Sequence, residues 1–474
     1  MYRTIFALAA SAMIAATPAS ARTAKYIFYF IGDGMGPNHV ALAEYYHGTM
    51  ADSLGTQPLG FSQWPVATLA STYSASSRVT DSAASGTALA TGTKTVNGSI
   101  GMAADLTTPL KSIAYRAQET GKRIGIASSV GITHATPAAF YGHTASRNSY
   151  GELAKQLAAT GFDYFGGPDF YYSNPSDTAG IYKYATERGY TITRSIDDFE
   201  RLAPSAKQMI LLQPLETTAI LGATLPYAID RKPGDMTLRD ITEAGIDFLT
   251  RDGKADENGF FFMVEGGNID WEAHGNDAAS IIHEVSDFDD AISAAYNFYL
   301  THPDETLIVV TADHETGSLN LSTGGYKLNL GVLANQRVSE SEMSRVLNNL
   351  RRANNGIITW EMAQKALADN FGFFTDAVKL SEAQTERLKT AFTKSFGDNP
   401  EVVVSEYRTD YPLSAEAKKI INEIALVGWG SGDHSATYVP VFAIGAGSEN
   451  FTSRTDNAEI ARKIAAAGGF PIND

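Results

Sequence analysis

The chain has 474 residues, 44% hydrophobic and 10% aromatic, enough for one large α/β domain or two to three smaller ones. A formal net charge of −16 argues against nucleic acid or an anionic membrane as partner, but it leaves room for a phosphate held by local cations or metal ions. There is no cysteine, which excludes disulfides and thiolate chemistry and restricts any zinc site to histidine and carboxylate.

In chain order, the N-terminus MYRTIFALAASAMIAATPASA has an early Arg3, an apolar stretch from Ile5 to Ala16 and the small triplet Ala19-Ser20-Ala21. That layout predicts a secretory signal peptide over residues 1–21, cleaved after Ala21, and hence a secreted or periplasmic mature chain over 22–474. No later run approaches the ~18 apolar residues that a bilayer span needs. Short apolar runs then recur: YIFYFI (26–31), IGIA (124–127), ILL (210–212), FFFMV (260–264), LIVVT (307–311) and VFAI (441–444). They read as strands buried on both faces, with helical patterns between them, for example over 110–120 and 149–160. This alternation predicts an α/β fold around a mostly parallel sheet. Residues from about 324 to 425 are largely helical in pattern and read as an accessory insertion, because a strand-like VPVFAIG follows them. A second, softer insertion is expected around 166–201, which is rich in Tyr, Ser, Asp and Gly.

In parallel α/β sheets, ligands gather at the C-terminal ends of the strands. Four of these runs border metal-capable residues. YIFYFI leads into Gly32-Asp33-Gly34, FFFMV into Glu265 and then Asp270 and His274, and LIVVT into Ala312-Asp313-His314. The last strand is preceded by Gly432-Asp433-His434-Ser435. Singly, each has a bland reading: an Asx-turn at Asp33, an acidic helix start at Asp270, a loop histidine at His434. Together they place three histidines and four carboxylates on one sheet edge, enough for a two- or three-metal site suited to in-line displacement at phosphorus. By contrast, VTDSAASGTALATG (79–92) is rich in hydroxyls but on its own reads as no more than a capped helix start.

The motifs YFIGDGMG, VTDSAASGTALATG, VEGGNIDWEAHGND, TADHETG and GDHSATYVPVFAIG span residues 29 to 445, and as a set the chain resembles the alkaline phosphatases, secreted or periplasmic metal-dependent phosphomonoesterases. The resemblance implies a three-layer α/β/α fold, a homodimer, phosphate monoesters as substrates and inorganic phosphate as product. It implies Ser82 as a nucleophile coordinated by one zinc ion that Asp33, Asp313 and His314 hold. A second zinc ion, held by Asp270, His274 and His434, would stabilise the departing alkoxide and then activate the hydrolytic water. Thr136 matches a ligand of a third ion, expected to be magnesium and shared with Glu265 and Asp33. Arg147 matches the arginine that grips two non-bridging phosphate oxygens. Asp81 is expected to orient Arg147, its bland role being a helix N-cap.

Two positions vary within the family. His134 stands near the third ion where some members carry aspartate, and an imidazole there favours zinc or cobalt. Trp271 stands near the phosphate where some members carry lysine, so weaker retention of product phosphate is expected. His39, His47, His143 and His283 match no ligand position and read as structural.

Rival readings remain. A related diesterase or nucleotide pyrophosphatase usually has a threonine nucleophile and no monoester-gripping arginine, so Ser82 with Arg147 favours the monoesterase. A sulfatase needs C/S-x-P-x-R, and the nearest look-alike, SNPSD at 173–177, lacks the arginine. A non-catalytic metal- or phosphate-binding protein would not need a nucleophile aligned with metals.

Overall fold

The computed structural model describes residues 23–171, 178–214, 224–253 and 255–472; the expected signal peptide and the 173–177 look-alike lie outside the described residues. Eight strands come first in the chain: β1 (Tyr26–Ile31), β2 (Val66–Ser71), β3 (Arg123–Ser128), β4 (Tyr164–Gly167), β5 (Tyr190–Thr193), β6 (Gln208–Leu212), β7 (Phe260–Glu265) and β8 (Thr306–Thr311). With Val439–Gly445 and Thr455–Asp456 they form a 10-stranded sheet in the order Thr455–Asp456, β2, Val439–Gly445, β8, β1, β7, β3, β4, β6, β5. Val439–Gly445 runs antiparallel to both its neighbours, while the other pairings are parallel.

The central strands are apolar throughout because both faces are covered. Side chains alternate along β1: Phe28 and Phe30 meet Phe298 and Phe288 of the Ala278–Thr301 helix, while Tyr29 turns the other way onto Phe140. The Ala278–Thr301 helix packs with Leu238–Thr250 and with α1 (Pro37–Met50). On the opposite face, α2 (Ser82–Thr91) packs with Asn457–Ala467. The result is a three-layer α/β/α architecture.

β4 escapes the apolar-run pattern because it reads YFGG. A Cβ on Gly166 would collide with Ile241 of the covering Leu238–Thr250 helix, and one on Gly167 would collide with Ile132. The described residues of 166–201, expected as a soft insertion, complete β4 and supply the edge strand β5, with Tyr190 buried.

From 340 to 425 lie four helices, Glu340–Ala353, Trp360–Phe371, Glu382–Phe396 and Pro412–Ala425, and a short antiparallel pair of Val403–Val404 with Thr409–Asp410. Ser339, Thr359 and Ser381 cap the first three, each side chain accepting a first-turn N–H. Met343, Leu347, Leu367, Leu388, Leu413, Ile420 and Ile421 form their buried faces. Among the described residues, no helix is long and apolar enough to cross a membrane.

Candidate active site

Four adjacent strands end side by side: Ile31 of β1 is in register with Glu265 of β7 and Thr311 of β8, and Glu265 with Ser128 of β3. The residues that follow these ends therefore converge. Reversal of the Val439–Gly445 strand brings its start to the same edge, and His434 pairs with Thr316 in a two-residue ladder. The turn after β1 approaches the Asn268–His274 helix so closely that a Cβ on Gly34, at φ +72°, would lie 2.8 Å from Asp270 Oδ1.

Ser82 is the first residue of α2. Asp81 caps that helix, Oδ1 accepting from the Ala84 amide at 3.0 Å, while its Oδ2 accepts from Gly98 N–H at 3.0 Å and from Arg147 Nη1 at 3.1 Å. One carboxylate thus serves both as N-cap and as anchor of the arginine. The Arg147 side chain remains 18% exposed, so its fork is not walled off. Burial works against its charge, but the negative charges around it, Asp81 first among the carboxylates, outweigh it and raise the pKa.

Ser82 Oγ lies 3.2 Å from His314 Nε2, which in turn lies 3.3 Å from Asp33 Oδ1 and 3.2 Å from Asp313 Oδ2. Next to this group, His274 Nε2 lies 3.3 Å from Asp270 Oδ2 and 3.2 Å from His434 Nε2, and His434 Nε2 lies 3.7 Å from Asp270 Oδ1. The groups adjoin: the His314 and His434 rings stack at 3.5 Å, and Asp270, His314 and His434 also offer ligand atoms to one another. In a third group, Asp33, Glu265 and His134 converge, and Thr136 Oγ1 donates to Asp33 Oδ2 at 3.3 Å.

The donor atoms fit divalent cations. Each of the four carboxylates has one oxygen tied to the protein: Asp33 by Thr136, Asp313 by the Gly34 and His314 amides, Asp270 by Thr316 at 2.5 Å, and Glu265 by Ser128. The other oxygen of each (Asp33 Oδ1, Asp313 Oδ2, Asp270 Oδ2, Glu265 Oε1) is buried without a hydrogen-bond partner, as is His134 Nδ1. His274 Nδ1 lies 2.6 Å from the Gly432 carbonyl and His434 Nδ1 lies 2.9 Å from the Thr80 carbonyl. Both Nδ1 atoms must donate, so in the neutral rings two Nε2 lone pairs face each other at 3.2 Å, an arrangement that a metal ion, or in its absence a proton on one ring, reconciles. Four ligands held tetrahedrally at roughly 2.0–2.1 Å stand about 3.3 Å apart, which is the spacing of both groups.

The electrostatics agree. Burial, with Asp313, Asp270 and Glu265 nearby, holds Asp33 well above the usual carboxylate range. Burial likewise pushes Asp313 up to about 7 and Glu265 to about 8, the Ser128 hydrogen bond opposing the latter. Burial also acts to raise Asp270, but His274, His434 and His314 outweigh it and hold it well below. His274 is lifted to about 9, Asp270 overcoming desolvation. Burial and Arg147 lower His134 to about 3. This buried cluster cannot carry all its negative charges without added positive charge.

All the residues expected at the site fall within this region. His134 stands closer than a supporting position would require: its Nε2 lies 3.2 Å from Arg147 Nη2 and it belongs to the third donor group. Trp271 is buried, stacked on Tyr407 at 4.3 Å and 8°. Of the four histidines read as structural, His39 is buried and accepts from Gly36 N–H, His47 meets Ser286 and His143 meets the Leu110 carbonyl, while burial lowers His283. Sequence reasoning missed Ser128 and Thr316, which anchor Glu265 and Asp270; Ser128 follows directly on IGIA and was within reach of the strand-end rule. It also missed Tyr407, which carries no signal in the sequence.

The alkaline phosphatase family model matches residues 24–164 and 205–470. Alkaline phosphatase 3 of Bacillus subtilis (strain 168) is 30% identical over 469 residues, covering 95% of this chain and 90% of the relative. The crystal structure of a cold-active alkaline phosphatase from a psychrophilic Shewanella sp. superposes with a TM-score of 0.78 at 28% identity, covering 94% of this chain and 99% of the other. That of Thermus thermophilus alkaline phosphatase gives 0.76 at 26% identity, covering 95% and 93%. A variant of the TAB5 alkaline phosphatase with histidine replaced by aspartate, described with Mg bound in its M3 site, gives 0.64 at 27% identity over 95% of this chain and 99% of that one. The chain belongs to the alkaline phosphatase family of phosphomonoester hydrolases.

Proposed function

We propose that this protein hydrolyses phosphate monoesters at alkaline pH by transferring the phosphoryl group to Ser82 and then to water. The observation that carries the reading is the position of Ser82 Oγ. It sits at the start of α2, 3.2 Å from His314 Nε2, beside buried carboxylate oxygens that lack hydrogen-bond partners, with Arg147 anchored by the residue before it. In the first step Ser82 gives up its hydroxyl proton to solvent, an Oγ–P bond forms as the ester P–O bond breaks, and the departing alkoxide takes a proton from solvent. In the second, a water oxygen gives up a proton and bonds to phosphorus, the Oγ–P bond breaks, the Ser82 oxygen takes up a proton, and inorganic phosphate is released. Arg147 holds two non-bridging oxygens and selects for a dianionic monoester over a diester. The N-terminal end of α2 adds a favourable dipole.

Asp33, Asp313 and His314 with Ser82, and Asp270, His274 and His434, would hold two zinc ions. Glu265, Asp33, Thr136 and His134 would hold a third ion, read as magnesium, with zinc or cobalt the rival that the His134 imidazole favours. When bound, such ions supply the positive charge that lowers the pKa of a hydroxyl or water and offsets charge on the reacting oxygens. The same reading includes export through a signal peptide at 1–21, a homodimer, and residues of about 324–425 as an accessory insertion on the 22–474 catalytic domain.

Turnover of p-nitrophenyl phosphate by wild type and Ser82→Ala, with zinc and magnesium present, tests it. The variant is expected to lose turnover while still binding phosphate. Equal rates would remove the serine mechanism, and an inactive wild type would favour a binding protein. Metal analysis with anomalous scattering at the zinc edge identifies the ions.

A further inference from the structure

Arg408, in the region between the helices of 340–425, is buried. Its Nη1 donates to Glu272 Oε1 at 2.6 Å, its Nη2 to Glu340 Oε2 at 3.2 Å, and its Nε lies 3.4 Å from Asp410. Glu272 belongs to the Asn268–His274 helix, which also carries Asp270, Trp271 and His274. The approach is so close that a Cβ on Gly275 would collide with the Arg408 guanidinium. This latch fixes the neighbouring residue, Tyr407. The Tyr407 ring lies flat on Trp271, 5.5 Å from the His274 ring and 5.8 Å edge-on from the His134 ring, whose Nε2 is 3.2 Å from Arg147 Nη2.

Tyr407 is half-buried against Val130, Tyr227 and Trp271, and its hydroxyl makes no hydrogen bond among the described residues, which leaves it able to bond a partner that enters from solvent. The Tyr407 ring thus adjoins Arg147 through His134 and the donor clusters through His274. The anion best placed to accept from the hydroxyl is one that Arg147 also grips.

We propose that Tyr407 is a substrate-contacting residue whose hydroxyl donates a hydrogen bond to a non-bridging oxygen of the bound phosphoryl group, next to Arg147. The inference rests on the phosphomonoesterase reading. The competing contact is with the ester's organic part, because Tyr407 also borders a cleft of about 960 Å³ with Tyr227, Lys232, Arg345 and Tyr411.

The test uses the metal-loaded full chain and Tyr407→Phe, which removes one oxygen and keeps the stack on Trp271. KM and kcat are measured with p-nitrophenyl phosphate and with glycerol phosphate, inorganic phosphate binding is measured by calorimetry, and metal content and melting temperature are checked. A hydrogen bond to a charged group predicts one common rise, about tenfold, in both KM values and in the phosphate Kd, with kcat and metal content preserved. Unchanged constants would overturn the proposal. So would a rise for one ester with phosphate binding intact, which assigns the ring to the organic group, or a fall in kcat with lost metal, which makes its role structural. Should Tyr407→Phe fold poorly, Tyr407→His, which keeps a ring and a donor, must recover phosphate binding to within about threefold of wild type for the proposal to stand. An inactive wild type would instead remove the phosphomonoesterase reading itself.

Discussion

Stripped of divalent cations, this protein should lose stability steeply as the pH rises from 6.5 to 9. Glu265 at about 8 and Asp313 at about 7 keep their protons in the folded metal-free chain at pH values where the unfolded chain has released them, and Asp33 behaves alike. His274, at about 9, stays protonated when folded but is neutral above about 6.5 when unfolded. In each case the folded state binds the extra proton, so stability present at low pH is lost as pH climbs through the folded-state value. Each group changes stability by about 1.4 kcal/mol per pH unit while it differs by a full proton. Between pH 6.5 and 8, Glu265 and His274 then lose about 2 kcal/mol each, and Asp313 less than about 1. Below pH 6.5 the trend weakens, because burial lowers His134 and His314, which favours the unfolded state there. Bound cations favour the ionised carboxylates and neutral imidazoles, so the metal-loaded protein should lack this slope. Other buried acids such as Glu284, at about 8, titrate in both forms and cancel in the difference. Denaturant unfolding from pH 6 to 9, with and without chelator, measures it. Parallel stability curves in the two states would refute the reasoning.

Other expected outcomes follow the same contacts. Arg147→Lys replaces a fork by a point charge and should raise KM for monoesters at least tenfold; an unchanged KM would show that Arg147 does not grip the phosphate. Arg408→Leu leaves Glu272 buried without its cation, so about 3–5 kcal/mol should be lost in chemical denaturation, and a loss below about 1 kcal/mol would count against the latch. Trp271→Lys should tighten inhibition by inorganic phosphate, despite losing the stack on Tyr407; weaker or equal inhibition would show that charge at this position does not govern product retention.

The central layer was legible because β1, β7 and β8 are buried on both faces and must be continuously apolar. Their end residues, Asp33, Glu265, Asp313 and His314, announced a site for the same reason: a polar group directly after such a strand has few structural uses. The motif VTDSA could name Ser82 only through resemblance, since its residues suit any helix start, and Asp81 in fact both caps that helix and anchors Arg147. β2, second from one edge, and the edge strand β5 are half-exposed or short, and β4 needs glycines for close packing, so no apolar run marks them. What only the tertiary structure decided are relations between distant segments. Reversal of Val439–Gly445 sets His434 against His274, and the latch of Arg408 on Glu272 lays Tyr407 over Trp271. Strand burial is a local property that writes itself into consecutive residues, whereas the pairing of two side chains more than a hundred residues apart depends on how the layers close around them.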